Sequence, residues 1–317
     1  MVRGFAGVLI VFGALTGCGE SGPGMPLVDA GLDPADAAVA LDAAVAIDAG
    51  EPEPDGGSEP PEDGGPPVLD AAIDDPTGPE SSRVQVITFN WPSRYGPGGV
   101  DSNDRALWSD LSGRASVMAL QEAGWVAGHI RSRGWEVHRP NPPGDDDDQP
   151  TGNFVVWDPS VWQVRDRGAF QQNPYTRIQA AAVGPTRHRP KYVVWVELRN
   201  RDDGTVWTFA SVHFVPSKHL GGAALELWER QRDRMLLWLS RRAARTVVMG
   251  DFNAQPSDAP CAPIRDAAGI HSAPSHGDRQ IDWVVRKPVL EGIRVAALAH
   301  MGQSDHRPVR SVVRWTR

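Results

Sequence analysis

Six short stretches of the chain carry side chains able to do chemistry together. The first is Thr246-Val247-Val248-Met249-Gly250-Asp251-Phe252-Asn253, where four apolar or β-branched residues run into Gly-Asp-Phe-Asn. A carboxylate and an amide two residues apart point the same way on extended backbone and can address one ligand. An oxygen-rich pair of this kind suits a hard cation, a water or a phosphate oxygen. Taken alone, the stretch reads as an Asx-turn closing a strand, with Asn253 as the cap. The other five deliver Asn90 after Arg83–Phe89, Glu122 after Ala115–Leu120, His213 near the end of Val206–Phe214, Asp282 inside Ile281–Val285, and the turn Ser304-Asp305-His306. Singly, each is a turn residue, a solvated acid or a core histidine. Asp282 stands out, because an acid in so apolar a run is costly unless paired, and a histidine is the obvious partner.

These groups must be positioned by strands that end where the chemistry begins. Strands are expected over 83–90, 115–120, 153–158, 192–198, 206–214, 246–250, 281–285, 295–300 and 310–315. Arg199–Thr205, with Asp203-Gly204 at its turn, makes a hairpin of two of them. A helix is expected over 104–111, and the one long helix over 222–243, its Leu225, Trp228, Arg232, Met235, Leu236 and Leu239 at helical spacing. That Trp and Met stripe is core packing. The β–α–β rhythm implies an α/β domain of mixed sheets covered by helices.

The 317 residues are not of one kind. Met1 to Gly17 has a short positive start, an apolar run from Phe5 to Leu15 and small residues, the layout of a secretory signal. Residues 19–82 hold sixteen acidic residues and no Lys or Arg, in loose Ala, Asp, Pro and Gly repeats without an aromatic side chain. Such a segment cannot bury enough surface to offset chain entropy and reads as a disordered, self-repelling tether. Residues 83–317 then carry 24 acidic and 31 basic residues, so a domain of about +7 hides under a net charge of −8. A basic domain suits an anionic partner such as nucleic acid, phosphate esters or anionic lipid. Asp145–Asp148 reads as a solvated loop. The two cysteines, Cys18 and Cys261, make no disulfide framework, and Cys261 is expected as a free thiol in a loop.

In order along the chain, Thr-Phe-Asn90, Leu-Gln-Glu122, Val-His213-Phe, Gly-Asp251-Phe-Asn253, Ile-Asp282-Trp and Ser-Asp305-His306 resemble the endonuclease/exonuclease/phosphatase superfamily, the deoxyribonuclease I-like proteins. The set is specific where each motif alone is weak, and it spans 83–317. The resemblance implies a four-layer α/β sandwich, two packed mixed β-sheets flanked by helices, with the site at one end. It implies a divalent-metal-dependent phosphoester hydrolase. Glu122, with Asp305 or Asn90 nearby, would bind Mg²⁺, for which Mn²⁺ or Ca²⁺ can substitute. Asp251, held by Asn253, would orient or deprotonate the attacking water. His306, paired with Asp282, would contact the scissile phosphate, and His213 would stabilise the phosphorane or assist the leaving group. Asn153 stands where deoxyribonuclease I has a glutamate supporting the first histidine, which puts an acid partner for His213 in doubt. Arg177, Arg187, Arg189 and Lys191 are candidate phosphate contacts.

Leu15-Thr16-Gly17-Cys18 looks like a bacterial lipobox, implying cleavage before Cys18 and its lipidation; Gly19 fits sorting to the outer membrane. The whole reads as a monomeric, exported, surface-anchored endonuclease domain acting on nucleic acid. A sphingomyelinase, a phosphomonoesterase and an inactive surface binding module are the competing readings; fold alone does not choose among them.

Overall fold

The computed structural model describes residues 83–91, 100–124, 126–139, 152–172, 191–216, 223–299 and 304–315. Cys18, the acidic tether, Asp145–Asp148, Arg177, Arg187 and Arg189 lie outside the described residues.

Twelve strands are described: β1 (Arg83–Asn90), β2 (Val117–Gln121), β3 (Glu136–His138), β4 (Phe154–Trp157), β5 (Trp162–Gln171), β6 (Tyr192–Asn200), β7 (Val206–His213), β8 (Thr246–Asp251), β9 (Gly269–Ser272), β10 (Asp282–Arg286), β11 (Leu290–Ala297) and β12 (Val309–Trp315). The helices are α1 (Ser102–Ser112), α2 (Ala127–Ser132), α3 (Ala223–Ser240) and α4 (Ala262–Ala267). One sheet runs β11-β12-β1-β2-β4-β3 and the other β5-β6-β7-β8-β10-β9. Both follow one plan. In each, a central parallel pair, β1 with β2 or β7 with β8, is flanked on both sides by antiparallel strands.

Alternation along the strands builds three layers of core. Between the sheets lie Val84, Val86, Val117, Ala119, Phe209, Val247, Met249 and Val284. Ile87, Phe89, Met118 and Leu120 face outward onto Leu107, Trp108 and Leu111 of α1 and Ile130 of α2. Ala210, Val212, Val248, Trp283 and Val285 face the other way, onto Leu227, Trp228, Met235 and Trp238 of α3. Strands covered on both faces need near-continuous apolar runs, which is why they were legible as such. The architecture is the four-layer α/β sandwich.

Toward the ends of the central strands the inter-sheet layer turns polar. On β1 the inward series is Val84, Val86, Thr88, Asn90; on β8 it is Val247, Met249, Asp251. Thr88 Oγ1 donates to Gln121 Oε1 (3.3 Å), and Gln121 Nε2 crosses to Ser211 Oγ on the other sheet (3.1 Å). These buried bonds fix the register of one sheet on the other one layer beneath the site. Gly250 has no alternative here, because any Cβ would overlap the Val212 carbonyl oxygen of the neighbouring strand.

Several boundaries differ from expectation. Helix α1 starts at Ser102 rather than Asp104, because Asp101 caps it and pairs with Asp104 in a capping box. The buried face of α3 centres on Ala224, Leu227, Trp228, Gln231, Met235, Trp238 and Leu239, whereas Leu225, Arg232 and Leu236 lie at its margin. Cys261 is free as expected but buried, in the 3₁₀ turn Ala259–Cys261, and burial pushes its thiol up to about 12. Strand β5 has no counterpart among the strands expected from the sequence. As an edge strand, its sequence Trp-Gln-Val-Arg-Asp-Arg-Gly-Ala-Phe-Gln exposes much of its length and shows no apolar run.

Candidate active site

The site lies where β1, β2, β7 and β8 end, β10 begins and the Ser304–His306 turn crosses them. Its focus is Asp251 Oδ2. Asn90 Nδ2 donates to that atom (3.1 Å), His213 Nε2 lies 3.7 Å away and His306 Nε2 3.9 Å away. Register puts them there, since His213 is the β7 partner of Asp251 and Asp282 its β10 partner. Asp251 Oδ1 meanwhile accepts the backbone N–H of Asn253 (2.7 Å). The Asx-turn and the functional reading of Gly-Asp-Phe-Asn are therefore both true, one for each carboxylate oxygen. The side chain of Asn253 donates to the Phe214 carbonyl (3.0 Å) and acts on Asp251 through its main chain.

Glu122 and Asn253 follow β2 and β8 with φ of 56° and 52°, in the left-handed region. Such backbone in a non-glycine residue turns the chain sharply and persists only where its surroundings enforce it. At Glu122 the enforcement is close packing: a Cβ on Gly152 would lie 2.7 Å from its Cα. The side chain of Glu122 is 47% exposed, with Oε1 3.4 Å from Asn90 Nδ2 and 3.9 Å from His213 Nε2. Asn90 thus bridges the two carboxylates through its amide nitrogen. Glu122 and Asp251 together offer acidic oxygens at one edge of the cleft, a donor set that fits Mg²⁺, which keeps several waters and needs few protein ligands.

The opposite edge is a buried dyad. Asp282 Oδ2 lies 2.7 Å from His306 Nδ1, and the Asp282 side chain is wholly inaccessible. Burial alone would lower the His306 pKa, but the hydrogen bond and charge of Asp282, with Asp251 and Asp305, outweigh it and raise the ring to about 9. His213 goes the other way. Burial, then the charges of Lys191 and His306, hold its ring well below the usual 6.5. No carboxylate stands within hydrogen-bond distance of His213 among the described residues, and Asn153 donates instead to the Tyr192 carbonyl (3.0 Å). At neutral pH the site pairs one imidazolium with one neutral imidazole. Burial first, then the Asp282 carboxylate, push Asp251 up to about 7 against the pull of His306, Asn253 and Asn90.

Ser304 Oγ donates to the Asn90 carbonyl (2.8 Å) and accepts the His306 N–H (3.0 Å), tying the turn to β1. Asp305, expected beside Glu122, is 75% exposed and turns toward His276 and His306. His276, Ser275, Ser211 and Gln121 are parts of the site or its support that sequence reasoning assigned no task. For Ser275 and His276 the only local signal is a turn composition around Pro274-Ser275-His276-Gly277-Asp278, whereas Ser211 and Gln121 stand as polar residues in otherwise apolar strands.

No protein-family model matches the sequence, and no curated protein does. Solved structures do match. The human Nocturnin catalytic domain with bound sulfate aligns at TM-score 0.59 and 13% identity, over 74% of this chain and 95% of that one. An endonuclease/exonuclease/phosphatase family protein from Bacteroides thetaiotaomicron aligns at TM-score 0.54 and 14% identity, over 74% and 95%. This is the endonuclease/exonuclease/phosphatase fold. D. rerio TDP2 complexed with a single-strand DNA product shares that fold at TM-score 0.55 and 14% identity, over 73% of this chain and 99% of that one. A Bacteroides thetaiotaomicron mannosyl-6-phosphatase does so at 0.53 and 14%, with the same coverage.

Proposed function

We propose that the chain is a divalent-metal-dependent phosphodiester hydrolase whose substrate class is nucleic acid. The observation that carries this is the convergence on Asp251 Oδ2 of Asn90, His213 and His306, with His306 backed by buried Asp282. Asp251, with a pKa near 7, is suited to take a proton from an attacking water close to neutral pH. The His306 imidazolium, oriented by Asp282, binds a non-bridging phosphate oxygen and offsets the charge that grows there. Neutral His213 presents Nε2 to the phosphorane or the departing oxygen. Asn90 holds Asp251 in place by its hydrogen bond. Glu122, with Asn90 and Asp305 as further candidates, would hold Mg²⁺, or Mn²⁺ or Ca²⁺ in its place, which supplies Lewis-acid stabilisation of phosphate charge when bound.

The excess of basic over acidic residues in 83–317 supports a polyanionic substrate, since phosphate contacts supply most non-specific nucleic-acid affinity. Lys191, whose charge reaches His213, is placed to contribute. Export and anchoring through Cys18 extend the same reading and would put the domain at a membrane surface.

The test is the full-length chain on supercoiled plasmid with Mg²⁺, alongside an EDTA control and Asp251→Ala. Nicking that requires both metal and Asp251 is expected. A folded protein that leaves plasmid, RNA and single strands intact but releases phosphate from p-nitrophenyl phosphate would move the assignment to a phosphomonoesterase. Silence on every ester would overturn the hydrolase.

A further inference from the structure

We infer that His276, Asp305 and His306 form a distinct transition-metal site, of the two-histidine, one-carboxylate kind that takes Zn²⁺. Asp305 spans the two rings: Oδ2 is 3.2 Å from His276 Nε2 and Oδ1 is 3.8 Å from His306 Nε2. The three donor atoms all lie within 4.8 Å of one another. Ligands about 2.0–2.2 Å from a tetrahedral ion stand about 3.3 Å apart, so one contact is already at that spacing and the others need a small closure. The two imidazoles meet edge to face with centroids 5.1 Å apart.

Two further features separate this cluster from a chance ion pair. The first is the outer support. Zinc-binding histidines characteristically give their second ring nitrogen to a carboxylate, which fixes tautomer and orientation. His306 does so through Nδ1 to Asp282 at 2.7 Å, leaving Nε2 as the atom facing His276 and Asp305. The second is the rigidity of His276. It begins a two-residue hairpin closed by His276 N to Arg279 O (3.2 Å) and Arg279 N to His276 O (3.0 Å), with Gly277 at φ 55°. That hairpin is stitched to the catalytic loops, since the Ser275 carbonyl accepts Arg307 N (2.6 Å) and Ser275 Oγ accepts Asp282 N (3.2 Å).

The ligand chemistry makes the site selective. Two imidazole nitrogens favour zinc-like ions, whereas Mg²⁺ prefers the oxygens on the Glu122 side. The exposed side of Asp305 leaves a fourth position for water or a substrate oxygen. Entry of the ion displaces the proton from His306 Nε2. On the functional reading above, occupancy also withdraws that nitrogen from the phosphate, so zinc would oppose Mg²⁺-dependent hydrolysis. The site itself does not depend on that reading.

The test is binding, not turnover. Full-length protein is titrated with Co²⁺ as a visible stand-in, followed by displacement with Zn²⁺ against a chelating dye. The expected result is a ligand-field absorption band saturating at this site. Affinity should fall more than about tenfold in His276→Gln and in Asp305→Asn, and persist in Glu122→Gln and His271→Gln. Both weakening substitutions lie on accessible turn residues, and circular dichroism with a thermal melt checks that each variant is folded. A wild-type protein without the band overturns the inference. So does a band that His276→Gln retains, or one that Glu122→Gln abolishes.

Discussion

Replacing Asp282 by Asn keeps the shape of the dyad and removes its charge. In the native site the His306 ring is moved from 6.5 to about 9, which is about 3 kcal/mol in favour of imidazolium. Without the Asp282 carboxylate, burial is opposed only by the charges of Asp251 and Asp305, and the ring falls back toward its ordinary 6.5. At pH 8 the cationic fraction then falls from near unity to about one ring in thirty. Misorientation of the ring adds to this, so kcat/KM on a phosphodiester should fall about 10²–10³-fold at pH 8. The loss should be pH-dependent in a stated sense. As pH drops from 8 to 6 the variant's ring regains its proton, while the native ring was protonated throughout, so the ratio of native to variant activity shrinks. Asp251 feels both charges, Asp282 raising its pKa and the His306 imidazolium lowering it, so the two losses oppose each other there. Paired pH–rate profiles measure the ratio, and NMR titration of the His306 ring proton reads the pKa directly. A ratio below threefold and flat from pH 6 to 8 would refute the reasoning, as would a variant ring that still titrates near 9.

Three further outcomes are open to measurement, two resting on the structure and one on the sequence. Gly152→Ala should push the Glu122 main chain out of its left-handed position, because the new Cβ would start 2.7 Å from Glu122 Cα; weakened Mg²⁺ binding by isothermal titration, at a cost of about 1–3 kcal/mol in stability, checks it. His138, whose ring burial lowers to about 4, takes up a proton in the unfolded chain at higher pH than in the folded one. Its contribution is therefore complete above pH 6.5 and is lost as pH falls toward 4; His138→Gln should flatten that part of the urea-stability curve by about 2–3 kcal/mol. Cys18→Ser, expressed with its signal in a bacterium, should move the protein from the membrane fraction to the soluble exported fraction and abolish labelling by an alkynyl fatty acid; unchanged fractionation would count against lipidation.

The legible parts of the structure were those written in local pattern. Strands β1, β2, β7, β8 and β10 are covered on both faces, so their apolar runs mark them; the first four stop at a polar residue that marks the site, and β10 starts at one. The cost of a lone acid in Ile-Asp-Trp-Val-Val pointed to a histidine partner for Asp282, and the structure puts His306 Nδ1 there. What escaped was set by distant packing. Strand β3 is too short to carry a period, and β5 is too exposed to show an apolar run. The α3 stripe was rotated because Leu227 and Trp238 meet the sheet while Leu225 does not. Sequence order cannot say which way a turn side chain swings, so the contact of Asp305 with His276, carried on a separate hairpin, was not legible.

The shared plan of the two sheets has a consequence for timing. The chain lays down β1 to β4 in one sheet, builds all of the second from β5 to β10, and only then returns with β11 and β12 to complete the first. Strand β1 waits with one side unpaired until β12 arrives, more than two hundred residues after it. His306 lies in the turn that leads into β12, so the same late segment that closes the sheet also delivers the imidazole. On the proposed function, a chain that lacks this segment lacks both the second neighbour of β1 and the His306 imidazole, so sheet closure and site completion depend on the same residues.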